Sequence, residues 1–236
     1  MAQDGVRDAV APGQERTGIQ RIAARYGSHW QQSYARGKLR HDPAFAAVAE
    51  RVLPRHHALL DIGCGMGLLG QYLRECGHRG AYLGIDLDAG KIDAAKRAAL
   101  ELRPALDFMA IDASALPAFH GDVAMLDVLH YLHRDQQLAL LHEAAARVAE
   151  GGLLIVRNVL REDNWRFHVT RIEEAWLRLV GWMRTAVRHY PDAREVTTAL
   201  RAAGLAVSLT PLWGRTPFNS YLIVATRDAT GVGARP

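Results

Sequence analysis

With 236 residues, 49% of them apolar and 23% charged, the chain is large enough to bury the core of one soluble α/β domain. Its formal charge of +4 rests mostly on arginine, lysine standing only at 38, 91 and 96, and the lack of any basic run of five or more argues against nucleic acid as a partner. Two cysteines, Cys64 and Cys76, exclude a disulfide framework, and with no signal-peptide core and no run of 18 apolar residues a cytoplasmic protein without membrane contact is expected.

Residues 1–14 and 227–236 are small and polar and read as disordered ends. The spacing of Ile19, Ile22, Ala23 and Tyr26 predicts one helix over 15–36. Asp42 and Pro43 open a second, running to about Leu53, so that 15–56 form an N-terminal helical lid. Apolar runs predict strands at 57–62, 81–86, 106–111, 122–128 and 152–157. Helices are predicted between them at 67–77, 88–102 and 135–149, with room for a shorter one at 112–121. Residues 160–190 form a helical cap insert with three of the five tryptophans, and a helix from Pro191 to Ala203 stops at Gly204. Strands at 205–212 and 219–226 are joined by a turn, WGRTPFN, too short for anything but antiparallel neighbours. The fold class is therefore α/β, a Rossmann-like doubly wound sheet of seven strands with helices on both faces. It is mostly parallel with an antiparallel C-terminal strand, and the main domain spans 57–226.

The first strand runs into LLDIGCGMGLLG, Leu59 to Gly70, which holds two overlapping glycine patterns. GMGLLG matches the dinucleotide fingerprint G-x-G-x-x-G. D-x-G-x-G-x-G from Asp61 starts where the strand ends and leaves no insertion unexplained, whereas the dinucleotide frame would strand Gly63 and Cys64. Asp61 is an acid at the end of an apolar strand, a costly placement unless it meets donors or a cation. A ligand ammonium group answers that need, and so would the loop's own amides. Asp86 ends the second strand, where an acid can hold the hydroxyls of an adenosine ribose. Asp112 follows the third and can accept from an adenine amino group. Three acids at three successive strand ends make one ligand face.

DIGCGMG, GIDLD, AIDAS and VAMLDVLHYL, in this order, resemble the sequential motifs of class I S-adenosylmethionine-dependent methyltransferases over about residues 57–160. The resemblance implies S-adenosylmethionine as cofactor and S-adenosylhomocysteine as product. It implies that Asp61, Gly63, Cys64, Gly65 and Gly67 surround the methionine portion, and that Asp86 and Leu87 hold the ribose and adenine. Asp112 and Ala113 would recognise the adenine edge, and Leu126 and Asp127 would lie near the sulfonium. YARGKLRHDPAF and GRTPFNSYLIVATR are similar to bacterial small-molecule methyltransferases found beside aryl-polyene and fatty-acid-like pigment genes. That likeness implies an aromatic or polyketide-like acceptor, free or carrier-bound.

Methyl transfer from a sulfonium gains chiefly from alignment of the nucleophile, with a general base where the acceptor is a phenol, acid or amine. No residue type is obligatory, so candidates rest on position beyond the carboxyl ends of the strands. His130 and His168 are the candidate bases. Tyr131, Arg157, Trp165 and Arg215 are candidate acceptor contacts, and Tyr34, Arg36, Lys38 and Arg40 candidate lid residues. No tetrapeptide of the N-P-P-Y type follows strand four, so methylation of base or glutamine amino groups is disfavoured, and the acids do not complete a metal site. The expected activity is methyl transfer to a small aromatic or acyl-type acceptor, through oxygen before carbon or nitrogen. Two other readings remain: an RNA- or protein-directed methyltransferase, and a non-catalytic subunit that binds S-adenosylmethionine or S-adenosylhomocysteine.

Overall fold

The computed structural model describes residues 12–102, 105–162, 164–167, 169, 187–213 and 219–228. The chain divides into two compact units, Met1–Ile111 and Asp112–Pro236.

The first unit opens with three helices, α1 (Pro12–Ala24), α2 (His29–His41) and α3 (Ala44–Val52). The expected single helix over 15–36 is two, because Ser28 turns extended and its hydroxyl accepts from the Gln31 amide at 3.2 Å, starting a new helix. The apolar stripe is buried as expected, Ile19, Ile22 and Ala23 on α1 and Tyr26 just past its end. At the next corner the Asp42 amide caps the end of α2, and the Asp42 carboxylate accepts from the Ala44 amide at 2.9 Å. Strands β1 (Leu59–Ile62), β2 (Tyr82–Asp86) and β3 (Leu106–Ala110) alternate with α4 (Leu68–Glu75) and α5 (Ala89–Ala98). β1 pairs parallel with β2, and β2 parallel with β3. Every residue of β1 is buried, the mark of a strand covered on both faces. β3, at an edge, leaves Met109 and Ala110 exposed. Helix α1 is fastened to α4 by Arg21 and Arg25, which both pair with Glu75.

The second unit holds β4 (Asp122–Leu126), a single 3-10 turn at Leu129–Tyr131, α6 (Arg134–Ala146), β5 (Leu153–Val159), α7 (Ala193–Ala202), β6 (Ala206–Pro211) and β7 (Ser220–Thr226). β4 and β5 are parallel, β7 is antiparallel to β5, and β6 is antiparallel to β7. The hairpin expected from the short turn is therefore present. Asp192 caps α7 through the Arg194 amide at 2.8 Å, and Gly204 ends it at φ +80°. No helix forms between 112 and 121, where Asp112 instead folds a local turn with Ser114. The seven strands make one sheet in the order β3-β2-β1-β4-β5-β7-β6. No described helix is long and apolar enough to cross a membrane.

Candidate active site

In the first unit the glycine loop is wound by its own amides. Gly63 and Cys64 both donate to the Ile85 carbonyl, at 2.8 and 2.9 Å, and Gly67 donates to the Cys64 carbonyl at 2.9 Å. Gly63, Gly65 and Gly67 sit at φ +76°, +56° and +76°, the left-handed region that side chains disfavour. The three glycines do different work. A Cβ at Gly67 would lie 2.5 Å from the Phe108 ring, so this glycine lets α4 close onto the sheet. A Cβ at Gly65 would meet nothing within 4 Å. Gly65 is the side of the loop that stands open.

Beside that opening is Asp86. One carboxylate oxygen accepts from the Gly65 amide and the other from the Asp88 amide, both at 2.9 Å. A carboxylate has about four acceptor positions, so two remain for ligand hydroxyls. Leu87 follows at 72% exposure, an apolar side chain held out beside the acid. Glycine loop, Asp86 and Leu87 are brought together as the sequence led us to expect.

Asp61 has a partner the sequence did not reveal. Its buried carboxylate accepts from neither loop amide; the Tyr82 hydroxyl donates to it. Burial raises its carboxyl to about 7, with the Tyr82 hydrogen bond acting downward and the Asp86 charge upward. Tyr82 lies opposite Leu59 in the β1–β2 register, which puts its ring on the face that Asp61 shares two residues along. Gly70 belongs to this arrangement. A Cβ there would lie 2.7 Å from the Tyr82 ring, so the last glycine of GMGLLG admits the tyrosine that serves Asp61.

Cys64 is enclosed. Its sulfur stands 2.8 Å from where a Gly84 Cβ would be, and burial beside Asp61 and Asp86 pushes its thiol well up. Tyr26, in the turn between α1 and α2, donates to the Met66 carbonyl at 2.7 Å and so ties the N-terminal helices to the loop. Trp30 and Tyr34 stack on the outer face of α2 with ring centroids 5.6 Å apart.

In the second unit, Asp112 is exposed and accepts from the Ser114 amide at 2.8 Å, which holds its carboxyl below the usual range. Ala113 follows, half-buried, in the same turn. At the carboxyl end of β4, Leu126 is half-buried and Asp127 takes φ +60°. That left-handed position is secured twice, by its amide on the Arg157 carbonyl at 2.8 Å and by an ion pair with the Arg157 guanidinium. Asp127 and Arg157, expected to face cofactor and acceptor separately, hold each other.

His130 lies on the 3-10 turn after β4, only 4% exposed, with the Tyr131 ring 4.1 Å away. Its Nδ1 is 3.1 Å from Asn158 Oδ1, while Asn158 Nδ2 donates to the Val159 carbonyl at 2.7 Å. That second bond fixes the amide's orientation, so Nδ1 donates to Asn158 Oδ1 and, in the neutral ring, the lone pair falls to Nε2. Trp165 is 61% exposed, and the Arg166 guanidinium sits 4.7 Å from its ring and 4.5 Å from that of Trp213. His168, Arg215 and the tryptophans at 176 and 182 lie outside the described residues. Among the described residues no three His, Cys, Asp or Glu side chains gather as metal ligands would.

Residues 59–152 match the family model described as Methyltransferase domain. No curated protein matches the sequence. An O-methyltransferase family protein from Burkholderia thailandensis has a similar structure at 22% identity and TM-score 0.65, over 86% of this chain and 61% of its own. This chain thus spans about three fifths of that protein's length. Magnesium protoporphyrin IX methyltransferase from Synechocystis PCC 6803, solved with bound S-adenosylhomocysteine, matches over 90% of this chain and 95% of its own, at 19% identity and TM-score 0.63. The 4+2 cyclase SpnF matches over 92% and 93%, at 20% identity and TM-score 0.62. At such identities the likeness is one of fold. Residues 59–152 thus match a methyltransferase domain, and the chain that carries them shares its fold with S-adenosylmethionine-dependent methyltransferases.

Proposed function

We propose that this protein transfers a methyl group from S-adenosylmethionine to a small aromatic or polyketide- or acyl-type acceptor, with oxygen as the favoured nucleophile. The observation that carries the cofactor reading is the pairing of an open Gly65 with an oriented Asp86 carboxylate. A side chain at 65 would fill the space a ligand needs, and Asp86 keeps acceptor positions for two hydroxyls. Asp61, buried and with its carboxyl raised to about 7, gains a stabilising partner when an ammonium group arrives. Leu87 supplies an apolar contact for the adenine, and Asp112 with Ala113 a polar edge. Leu126 and Asp127 are the proposed contacts towards the reacting end.

S-adenosylmethionine, when bound, supplies an electrophilic methyl carbon. The chain's part is to hold the acceptor in line and to receive its proton. We assign the second task to His130, whose tautomer is set by Asn158 so that Nε2 can accept a hydroxyl proton. A positioned base of this kind contributes about 10²–10⁴ in rate. Tyr131 and Trp165 are the proposed acceptor contacts, with a cytoplasmic location and no membrane contact. An acceptor of the pigment-pathway kind, free or carrier-bound, is consistent with the aromatic side chains around Trp165.

The test is methyl uptake from labelled S-adenosylmethionine across a panel of phenols and hydroxy acids, with wild type and His130→Ala. Turnover of a phenol that falls at least a hundredfold in the variant, with S-adenosylhomocysteine affinity retained, supports the assignment. Equal turnover removes His130 as the base. Methylation of RNA or protein but of no small acceptor would replace the substrate class.

A further inference from the structure

Beyond the end of β5 lies a polar network separate from the His130–Asn158 pair. Glu162 stands three residues past Val159, at the same end of the parallel β4–β5 pair as Asp127 and His130. Its Oε2 accepts from Asn164 Nδ2, from Asn219 Nδ2 at 3.3 Å and from the Tyr221 hydroxyl at 2.9 Å. The donors are themselves fixed. Asn219 Nδ2 also donates to the Leu160 carbonyl at 3.0 Å, and Asn219 Oδ1 accepts from Asn164 at 3.2 Å. Asn164 Oδ1 accepts from the Phe167 amide at 2.8 Å. Burial and the bond to Glu162 push the Tyr221 phenol up to about 12, so it stays a donor at neutral pH.

All three donors fall on one oxygen. Among the described residues none donates to Glu162 Oε1, and the residue is half-buried rather than enclosed. A carboxylate anchored through one oxygen presents the other as an oriented acceptor, and orienting it already costs nothing further when a ligand binds. Its surroundings are aromatic and cationic: the Trp213 ring packs edge-on to Tyr221 at 6.3 Å, and Arg166 lies against the Trp165 and Trp213 rings. This chemistry suits a planar acceptor carrying a hydrogen-bond donor at a distance from its methylated group.

We propose that Glu162, anchored by Asn164, Asn219 and Tyr221, is the specificity-determining contact for the acceptor, reading a second hydroxyl or amino group on an aromatic substrate. This rests on the methyltransferase reading above and names the acceptor class for the same site. A consequence follows from the network's polarity. Three donors require an acceptor on their side, so a glutamine at 162 must turn its carbonyl to them. Its NH2 then faces the ligand, and the open position changes from acceptor to donor.

The experiment compares 2,7-dihydroxynaphthalene with its monomethyl ether, 7-methoxy-2-naphthol, as methyl acceptors. Each has a hydroxyl to methylate, and only the diol has a second donor. Wild type should favour the diol by about tenfold or more in kcat/KM, mainly through KM, since a site built for a hydroxyl rejects analogues lacking it. Glu162→Gln should erase or reverse that preference, because an ether oxygen can accept from the new NH2. Tyr221→Phe, which removes one anchor and leaves the carboxylate, should shrink the preference without reversing it. The thermal shift with S-adenosylhomocysteine should be unchanged in both variants. Equal use of the two acceptors by wild type, a preference retained in Glu162→Gln, or turnover of neither probe with that shift intact would each overturn the proposal. Loss of the shift in wild type itself would instead overturn the methyltransferase reading.

Discussion

Alanine at Gly65 and at Gly67 should fail for different reasons, and the difference can be measured. Both residues have left-handed backbones, φ +56° and +76°, so each alanine costs about 1–2 kcal/mol of strain. At Gly67 the new methyl also lands 2.5 Å from the Phe108 ring and 3.1 Å from Ala95 Cβ, in a packed interior. Forcing a methyl into such a place costs about 1–3 kcal/mol more. Gly67→Ala should therefore lose about 2–5 kcal/mol, and at about 2–4 °C per kcal/mol for a chain of this size its Tm should fall by about 4–20 °C. Gly65→Ala carries only the strain, with a Tm loss of about 2–8 °C, because nothing lies within 4 Å of its methyl. Binding should separate the pair the other way. The Gly65 methyl occupies the open side of the loop, so S-adenosylhomocysteine affinity should fall at least tenfold, more than in Gly67→Ala at a temperature where both are folded. Differential scanning calorimetry and titration calorimetry on the same preparations give both numbers. A Gly65→Ala protein that binds S-adenosylhomocysteine as tightly as wild type would refute the argument, as would a Gly67→Ala protein as stable as Gly65→Ala.

Asp61 should make stability fall as pH rises. Its carboxyl sits near 7 when folded and near 4 when unfolded, so the folded state holds a proton that the unfolded chain has released. The stabilisation is full below about pH 4 and is lost as pH rises through 7, so the wild-type Tm minus that of Asp61→Asn should decline between about pH 5 and 8; a flat difference would refute the burial argument. Arg157→Ala removes the guanidinium that pairs with the Asp127 carboxylate at a left-handed position. With the two side chains 11% and 27% exposed, the loss should be about 2–4 kcal/mol by urea unfolding, partly recovered on adding Asp127→Asn. Ser28→Ala removes the cap that begins α2 and should cost about 1 kcal/mol by the same measurement, with methyl transfer retained.

What the sequence disclosed and what it hid follow from the range of the interactions. Glycine spacing, acids at strand ends and the short turn before β7 are local signals, and they placed the loop beside Asp86 and the antiparallel hairpin correctly. The break between α1 and α2 was also local, in Gly27-Ser28, but the apolar stripe continued past it and masked the cap. Tyr82 was invisible for another reason. Its bond to Asp61 depends on the β1–β2 register, which no single strand reports. Gly70 was the available clue, a glycine inside a helix with no turn to explain it. Asp127 with Arg157 and Glu162 with Tyr221 join residues 30 and 59 positions apart, pairings that only strand assembly creates. His130 was picked by position, yet the group that sets its tautomer, Asn158, is buried on the next strand.

Asp86 and the open Gly65 are the proposed adenosyl site. Titration calorimetry of wild type and Asp86→Ala with S-adenosylhomocysteine, and with NAD beside it, tests this most directly. We predict saturable binding of S-adenosylhomocysteine to wild type, at least a tenfold loss in Asp86→Ala, and no binding of NAD. Tight NAD binding without S-adenosylhomocysteine binding, or an affinity untouched by Asp86→Ala, would contradict it.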